Sequence, residues 1–568
     1  MGKRVGIALA TIALASVLWL ARPVPRIIYL GGPILTLDAQ SRVVEALGIE
    51  GDRIGAVGSE AEVRAWAGPG ARSIDLGGHA LLPGFIDAHG HFPGTGIFAR
   101  VVDLNSPPIG EVETIDELVQ RLRRKAAETS RGDWVIGLGY DDTLLREKRH
   151  PTRADLDRVS LEQAVVAIHI SGHLAAVNSV ALARLGIDAK TPDPSGGRIR
   201  RAFGTGEPTG VLEENAAERV LHELQTPSPL AGLAIVREGV RRYVAAGVTT
   251  AQSGYADRSQ LERLDLLSRI GIVPIRLVLW PSMDVVDEML AGRFSFRPHD
   301  ERWVRLGAVK LVADGSIQGY TGYLSAPYFV PPGDDPSYRG YPRMPHDELG
   351  ERVSRYHRAG LQVAVHGNGD AAIDDILDAF ERAQTEHPRA DARPVLVHAQ
   401  MARADQLDRM ARLGVIPSFF SLHTYYWGDR HRELFMGPER AAHMSPAASA
   451  LARGIRFTIH CDSPIVPMEP LRLVWAAVNR RSASGAEIGP QERIPVMDAL
   501  RAVTANAAFQ HFAEASQGSL EPGKLADLVI VSRSPLADPE HIDTLEVLET
   551  IVGGHSVYRR PERAAAHS

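Results

Sequence analysis

Strand-like and helix-like segments alternate through most of this chain, and the alternation restricts it to parallel β/α architecture. Short apolar runs bounded by Gly, Pro or polar residues mark the strands. The predicted strands are residues 81–89, 247–253, 274–280, 307–314, 361–366, 395–398, 415–420 and 455–461. Eight parallel strands are the number that closes a barrel. We therefore predict an α/β fold containing a (β/α)8 barrel of the TIM type.

The interval between the first two predicted strands is far too long for a single connection. Its own helical stretches (116–128, 177–185 and 212–224) alternate with turn-rich loops. We therefore predict that residues 95–235 form an inserted α/β subdomain after the first barrel strand.

Both ends of the chain carry short strands separated by glycine-rich turns such as Gly31-Gly32 and Gly553-Gly554. Neither end is long enough to complete a sheet alone, so we predict one small β-sandwich formed by the two together. The predicted division is 1–25 signal peptide or membrane anchor, 26–80 first part of the sandwich, 81–94 first barrel strand, 95–235 insertion, 236–514 rest of the barrel, 515–560 second part of the sandwich, and 561–568 tail.

The first residues have the pattern of an export signal. Lys3 and Arg4 precede an uncharged apolar run from Val5 to Ala21. The run is slightly short for a membrane span, although it is long enough for an uncleaved anchor. We expect a periplasmic protein or one anchored in the membrane and facing outward, in contact with the membrane only through this segment. Whether the segment is cleaved is left open, and a buried core helix is the alternative.

Composition excludes several other classes of protein. The 63 basic and 69 acidic residues give a net charge of −6 and form no basic block, so nucleic-acid binding has no support. Hydrophobic residues make up 44% of the chain and charged residues 23%, which is typical of a folded globular protein. Cys461 is the single cysteine, which excludes an intrachain disulfide and a cysteine-rich zinc module.

Polar residues recur where the predicted strands end. They are His89, His91, Lys310, His366, His398 and Asp462. Barrel active sites lie at the carboxyl ends of the strands, so these side chains are expected to converge. Imidazole and carboxylate are good ligands for zinc and similar divalent ions. Two ions fit this set if the lysine reacts with CO2 to give a bridging carbamate anion. Each histidine taken alone could be a buried structural residue.

Several motifs match a known family. They are Pro83-Gly84-Phe85-Ile86-Asp87-Ala88-His89-Gly90-His91, Val309-Lys310 with Asp314-Gly315-Ser316, His366-Gly367-Asn368-Gly369-Asp370, His398-Ala399-Gln400, Asp462-Ser463-Pro464, Gly518 to Leu528, and Pro151 to Asp157. On these segments the chain resembles the amidohydrolase superfamily, and within it the YtcJ-like branch that includes N-substituted formamide deformylases. The resemblance runs from about residue 27 to residue 560.

The resemblance implies the barrel-plus-sandwich fold and a centre of one or two divalent ions, most often Zn²⁺. It implies that His89 and His91 hold the more buried ion and that His366 and His398 hold the more exposed one. Lys310 would be the carbamate bridge, and Asp462 would be both a ligand and the general base. The chain departs from the branch at Cys461, where serine is usual, which raises the question of packing and oxidation beside the base.

Metal ions lower the pKa of a bound water toward about 7, and Asp462 would pass the water's proton to the leaving nitrogen of an amide. His423 is either a hydrogen-bond donor to the developing oxyanion or a structural residue. The predicted substrate-binding residues are His173, Asn178, Tyr320 and Trp427, although aromatic residues at such spacings are more often core.

We therefore expect a metal-dependent hydrolase that cleaves a non-peptide C–N bond in a small amide, N-formyl or N-acyl substrate. Hydrolysis of an ester, lactone or phosphotriester at the same centre is one alternative. A non-catalytic, membrane-tethered binding protein is another. The sequence leaves the substrate, the metal and the oligomeric state open, with a homodimer as one option.

Overall fold

The computed structural model of the protein describes residues 26–224 and 228–561. The predicted export segment, residues 1–25, lies outside these ranges, as does all but the first residue of the predicted tail. Neither range contains a helix with both the length and the apolar character needed to cross a membrane.

The strands, in chain order, are β1 Arg26–Leu30, β2 Ile34–Leu35, β3 Val43–Val44, β4 Ala46–Glu50, β5 Arg53–Gly58, β6 Arg72–Asp75, β7 Ala80–Pro83, β8 Phe85–Ile86, β9 Val102–Asp103, β10 Val135–Tyr140, β11 Val165–His169, β12 Leu174–Val177, β13 Gly197–Arg201, β14 Pro208–Glu214, β15 Val248–Ala256, β16 Arg276–Pro281, β17 Val304–Leu306, β18 Val309–Val312, β19 Val363–Gly367, β20 Val395–His398, β21 Ile416–Phe419, β22 Thr458–Ile459, β23 Leu528–Val531, β24 Val547–Val552 and β25 His555–Arg559.

The α-helices are Glu60–Ala67, Ile115–Glu128, Arg153–Asp157, Ser179–Arg184, Asn215–Leu224, Pro229–Ala245, Arg258–Arg269, Met283–Leu290, His346–Arg358, Asp370–Glu386, Ala404–Leu413, His423–Tyr426, Gly428–Arg430, Gly437–Ala442, Ala447–Ala452, Pro470–Asn479, Val496–Ala502 and Ala505–Gln510. Shorter 3-10 turns lie at Gly94–Ala99, Ile317–Gly319, Pro490–Glu492 and Pro539–Thr544, and a π-helical turn lies at His431–Phe435.

Both ends of the described chain contribute to one six-stranded sheet, in the order β25-β24-β23-β7-β2-β3. Its β7 and β23 are antiparallel, with Leu81 opposite Ile530. A second sheet, in the order β5-β4-β1-β6, comes from the N-terminal side alone. One buried apolar cluster contains side chains of both sheets, including Leu47 and Leu528. The two sheets are therefore packed through shared apolar residues.

The first predicted barrel strand, 81–89, is wrong in its extent. Residues 80–83 form β7 in the six-stranded sheet, and only Phe85 and Ile86 form β8 beside β15. The chain changes sheets at Gly84, whose N–H donates to the Asp527 carbonyl at 2.9 Å. A Cβ at Gly84 would stand 2.2 Å from the Thr249 side chain, so only glycine fits this crossing.

The remaining predicted barrel strands lie in two parallel sheets, β17-β16-β15-β8 and β18-β19-β20-β21-β22. The predicted strand 307–314 contains only β18, because β17 ends at Leu306, before the predicted strand begins. Gly307 lies between the two strands, and a Cβ there would be 2.4 Å from the Trp280 indole. A single parallel bridge, Ser282 to Lys310, joins the two sheets on one side. On the other side the His91 N–H donates to the Ser463 carbonyl at 2.8 Å.

No continuous hydrogen-bonded ladder joins these two sheets into a closed barrel within the described ranges, so the observed fold is mixed α/β.

Helices pack on the sheets through apolar faces whose residues repeat with helical spacing. In Asp370–Glu386, the side chains of Ile373, Ile376, Leu377 and Phe380 repeat at intervals of three and four residues and are buried. The centre of the molecule is therefore apolar, and polar side chains collect at the strand ends.

Residues 102–214 contain a further six-stranded sheet, in the order β13-β14-β12-β11-β10-β9. The helix predicted over 116–128 is Ile115–Glu128, and it begins at Thr114, which forms a capping box with Glu117. The residues predicted as a helix over 177–185 contain the end of β12 and the helix Ser179–Arg184, which begins after Asn178.

Candidate metal centre

Two histidines and one aspartate form the first part of the centre. The Nε2 atoms of His89 and His91 lie 3.5 and 3.3 Å from Asp462 Oδ1, and that oxygen makes no hydrogen bond within the described structure. The His91 Nδ1–H donates to the Gly254 carbonyl at 2.9 Å, which leaves Nε2 as the free donor atom. His89 is 1% exposed and stacks on the Trp280 ring.

Neither histidine of this pair lies on a strand. The predicted strand 81–89 included His89, but β8 ends at Ile86, before either residue. They converge because the loop after β8 is fixed from two directions. The His91 N–H bonds Ser463, and the Gly90 N–H donates to the Gln252 side chain at 2.8 Å.

His366 and His398 form the second part of the centre. His366 Nδ1 and His398 Nε2 are 3.1 Å apart, and both side chains are buried. His366 Nε2 lies 3.1 Å from the Gly315 carbonyl, which turns Nδ1 toward its partner. Asp462 Oδ2 lies 3.9 Å from His398 Nε2. The Asp462 carboxylate therefore lies between the two pairs of histidines.

Lys310 joins the two parts. Its Nζ lies 3.0 Å from His89 Nε2, and the residue is 3% exposed, so Lys310 does not lie on the protein surface. Burial lowers the pKa of Lys310 to about 7, although the Asp462 carboxylate acts in the opposite direction. The side chain is therefore poised to be a neutral amine near pH 7.

The backbone is strained at two of these ligand positions. Asp462 has φ +52° and His398 has φ +72°, in the left-handed region that side chains other than glycine adopt at some cost. Cys461, between His460 and Asp462, is fully buried, and burial raises the pKa of its thiol. The thiol that departs from the family pattern is therefore packed away from solvent in its protonated form.

His460 was missed by the sequence argument. Its Nε2 lies 3.1 Å from His398 Nδ1, and its Nδ1 lies 2.9 Å from the Ser418 hydroxyl. Burial lowers the pKa of His460 to about 3, so the ring is neutral and orients His398. The signal was present, because His460 directly follows the last residue of β22, yet only Asp462 was selected from that strand end.

Two of the remaining predicted site residues, His173 and His423, lie beside the histidines of the centre. The His173 ring lies 5.0 Å from the His366 ring, and its Nδ1 lies 2.8 Å from Glu214 Oε2. The His423 ring lies 6.2 Å from the His398 ring, and its Nδ1 makes no hydrogen bond within the described ranges. Both histidines therefore border the centre. Glu214, which no sequence pattern indicated, is buried with φ +50°.

Asn178 does not have the predicted role. Its Oδ1 accepts from the N–H groups of Val165 and Ala181, and its Nδ2 donates to the carbonyls of Ser160 and Gln163. An asparagine amide has two donors and two acceptor positions, so its hydrogen-bonding capacity is used. Asn178 is therefore a helix cap, and this replaces the predicted contact with substrate.

The two predicted aromatic residues pack into the protein. The Trp427 Nε1–H donates to Asp141 Oδ2 at 3.1 Å, and the ring is 2% exposed. The Tyr320 ring lies 5.0 Å from the Phe435 ring, and burial raises the pKa of its hydroxyl to about 12. Tyr320 is partly exposed, whereas Trp427 presents little surface to a ligand.

The donor atoms have the spacing of ligands that share an ion. Zinc–ligand bonds of about 2.0–2.2 Å at tetrahedral angles separate neighbouring donors by about 3.3 Å. The three separations of 3.1, 3.3 and 3.5 Å agree with this value. Neutral imidazoles with one carboxylate also suit a divalent cation. The residues present therefore fit one or two divalent ions.

Comparisons of the sequence with known proteins and protein families give matches that agree with one another. The model of the amidohydrolase family matches residues 72–558. The N-substituted formamide deformylase of Arthrobacter pascens is 30% identical over 549 residues, which are 93% of this chain and 97% of that protein. The putative amidohydrolase YtcJ of Bacillus subtilis (strain 168) is 29% identical, over 94% of this chain and 99% of that protein.

One solved structure is also similar. An uncharacterized metal-dependent hydrolase from Pyrococcus horikoshii OT3 has a TM-score of 0.71 and 26% sequence identity. The match covers 91% of this chain and 99% of that one. Both the sequence and the fold are therefore shared over almost their whole length.

Proposed function

The chain belongs to the amidohydrolase family, and from that membership we propose that it hydrolyses a non-peptide C–N bond in a small amide, N-formyl or N-acyl compound. The similarity to a formamide deformylase supports this class of substrate. One observation carries the proposal: the Asp462 carboxylate, only 13% exposed, lies between two pairs of histidines, within 3.9 Å of three imidazole nitrogens.

His89 and His91 would hold one divalent ion, His366 and His398 a second, and Asp462 would contact the first or both. Nitrogen-rich donor sets favour zinc among the common divalent ions. Bound ions supply a water of lowered pKa, near 7, and polarise a carbonyl oxygen.

Lys310 would complete the centre as a carbamate. Its neutral amine attacks CO2, an N–C bond forms, and one proton leaves, so a neutral side chain becomes an anion with two oxygens. The position supports this, because Nζ is buried 3.0 Å from His89 Nε2 among neutral imidazoles. An anion there offsets the charge of the ions.

The protein's own residues would manage the protons and the substrate. Asp462 takes a proton from water and returns it to the leaving nitrogen, because an amine leaves poorly unless it is protonated. His423 donates a hydrogen bond to the oxygen on which negative charge develops. His173, held by Glu214, orients the substrate beside His366.

A second part of the proposal concerns the architecture of the protein. We propose that the parallel strands close into a barrel, which is supported by the Ser282–Lys310 bridge and the His91 bond to Ser463. The two sheets near the chain ends would form the sandwich, and residues 95–235 would form the inserted subdomain. Export by residues 1–25 and a homodimeric assembly remain proposals of the same kind.

The proposal predicts a dependence on the proton carried by Asp462. Asp462→Asn should slow hydrolysis of N-formyl and N-acyl amines by about 10²–10⁴-fold. It should slow an ester with an acidic leaving group much less, because that group departs without a proton. Rates and zinc content of the variant, beside Asp334→Asn as an exposed control, test this.

Two outcomes would count against the proposal. Equal losses for amide and ester with the zinc retained would favour the ester, lactone or phosphotriester alternative. Absence of turnover by zinc-loaded wild type on every substrate class would favour a non-catalytic binding protein. Full activity of metal-free wild type would remove the metal from the mechanism altogether.

A further inference from the structure

A second cluster of ligand-type side chains lies in the six-stranded sheet of residues 102–214. Asp142 follows β10, His169 is the last residue of the neighbouring parallel strand β11, and His150 lies in the loop between them. The carboxyl ends of parallel strands meet at one edge of a sheet, so the cluster forms where β10 and β11 end side by side. None of these residues contributes to the centre around Asp462.

Asp142 lies at ligand distance from each of the two histidines. His169 Nε2 lies 3.1 Å from Asp142 Oδ1, and His150 Nε2 lies 3.6 Å from Asp142 Oδ2. His169 is fully buried and His150 is 9% exposed. These separations are close to the value of about 3.3 Å expected for two donors on one tetrahedral ion.

The closest pair of atoms is not a hydrogen bond. His169 Nε2 and Asp142 Oδ1 are 3.1 Å apart, yet neither atom has a hydrogen-bond partner within the described ranges. The same feature marks the first centre, where Asp462 Oδ1 lies 3.3 Å from His91 Nε2 without a hydrogen bond. A nitrogen and an oxygen at this distance that are not aligned as a hydrogen bond leave both atoms available to a common cation.

The other ring nitrogens are held by hydroxyl groups. His150 Nδ1 lies 3.1 Å from the Tyr140 hydroxyl, and His169 Nδ1 lies 2.8 Å from the Ser171 hydroxyl. These contacts turn both Nε2 atoms toward Asp142, as outer hydrogen bonds do for metal-binding histidines. The Ser171 N–H also donates to His169 Nδ1 at 3.2 Å, so an ion bound at Nε2 requires the ring proton to move to Nδ1 and to be donated to the Ser171 hydroxyl.

Charge at the cluster also favours a cation. Asp141 accepts from the Arg430 guanidinium at 2.7 Å, and Glu213 is paired with Arg200. Asp142 has no lysine or arginine within ion-pair distance in the described ranges, and Arg200, which is paired with Glu213, acts on it only from farther away. A divalent ion would offset a carboxylate that no arginine contacts directly.

We propose that Asp142, His150 and His169 bind one divalent cation of the zinc class, separate from the ions at Asp462. Two imidazoles and one carboxylate supply three ligands, and water supplies the fourth. The site lies beside the first centre, because His169 is four residues before His173, a span of at most about 14 Å. Since Asp141 contacts Trp427 and Arg430, the ion would also hold this sheet against the segment after β21.

Zinc content of the full-length protein tests the site. Wild type, the double variant His150→Gln/His169→Gln and the control His222→Gln are each saturated with ZnCl2, dialysed against metal-free buffer and analysed by mass spectrometry. His222 is exposed in the same part of the chain. The double variant should hold one equivalent less than wild type, and the control should hold the wild-type amount.

The single variant Asp142→Asn should lose the same equivalent, and it decides the question if the double variant does not fold. Amide hydrogen exchange gives a second readout. Zinc should slow exchange in residues 140–171 of wild type but not in those of Asp142→Asn. Equal zinc content in wild type and Asp142→Asn would overturn the proposal and leave a hydrogen-bonded Asp–His network in its place.

Discussion

Replacing Lys310 by alanine is expected to empty the centre of its ions rather than merely to loosen the fold. The wild-type side chain is 3% exposed, and its Nζ touches His89 Nε2 at 3.0 Å. As a carbamate it would give one oxygen to each ion. As a protonated amine it would repel both. The variant therefore separates a bridging role from a packing role.

The size of the effect follows from the number of ligands. Structural zinc sites with four ligands bind with about 10–16 kcal/mol, or about 2.5–4 kcal/mol per ligand. Because 1.4 kcal/mol corresponds to tenfold, loss of one ligand should weaken binding of each ion by about 10²–10³-fold. Dialysis against metal-free buffer should then remove both ions from Lys310→Ala but not from wild type.

Rescue by small carboxylates provides the specific assay. The space left by the lysine chain and its carbamate is expected to admit acetate, which has two oxygens on one carbon. Zinc content and hydrolysis rate of Lys310→Ala are measured with and without acetate, and both should rise together. Lys310→Met keeps most of the packing but leaves no space, so it should lose zinc and resist rescue. The exposed Lys190→Ala is the control.

Retention of both ions by Lys310→Ala and Lys310→Met after dialysis would refute the bridging role. In that case the lysine would be a structural residue, and its removal should lower only the thermal midpoint. Loss of zinc from Lys310→Ala but not from Lys310→Met would assign the effect to packing. Acetate that restored activity without restoring zinc would also contradict the argument.

Three further predictions concern other parts of the molecule. Asp527→Ala should cost about 3–5 kcal/mol, measured as a lower thermal midpoint, because it leaves the buried Arg276 guanidinium without its two-bond partner. His423→Ala should lower kcat by about 10²–10³-fold with zinc retained, and an unchanged kcat would make the residue structural. Burial raises the pKa of Asp155, but hydrogen bonds led by Arg149 outweigh it and hold the pKa at about 2, below the ordinary 3.8. That stabilisation, about 2 kcal/mol, is present above pH 4 and is lost as the pH falls toward 2, so thermal midpoints of wild type and Asp155→Asn should converge over that range.

The positions of the ligand residues were predictable because they follow apolar strands. His366 is the next-to-last residue of β19 and His398 is the last residue of β20, and the structure brings their ring nitrogens together. Position along a strand is a local property, and neighbouring parallel strands end at one edge. The convergence of these two residues therefore required no knowledge of distant contacts.

The path of the chain near His89 was not predictable in the same way. The run from Leu81 to Ile86 is uniformly apolar because β7 and β8 are both buried, although they lie in different sheets. Hydropathy does not distinguish one buried strand from two. Only the close approach of Thr249 to Gly84 marks the crossing, and that contact joins residues far apart in the sequence.

Side-chain roles set by long-range contacts were also beyond the sequence. Asn178 resembled a recognition residue but caps a helix, while His460 was passed over although it orients His398. The role of Glu214 was not predictable from the sequence, because its partner, His173, lies in a different strand connection. A residue type predicts what a side chain is able to do, whereas its partners decide what it does.

The antiparallel pairing of β7 with β23 has a consequence for synthesis of the protein. Leu81 and Ile530 are separated by about 450 residues, which a ribosome adds in about 20–90 s at 5–20 residues per second. Throughout that time β7 has no neighbour on the side that β23 will occupy. The loop bearing His89 and His91 starts only a few residues after β7. A nascent chain therefore carries both imidazoles long before their support exists, and capture of metal should be among the last events of maturation.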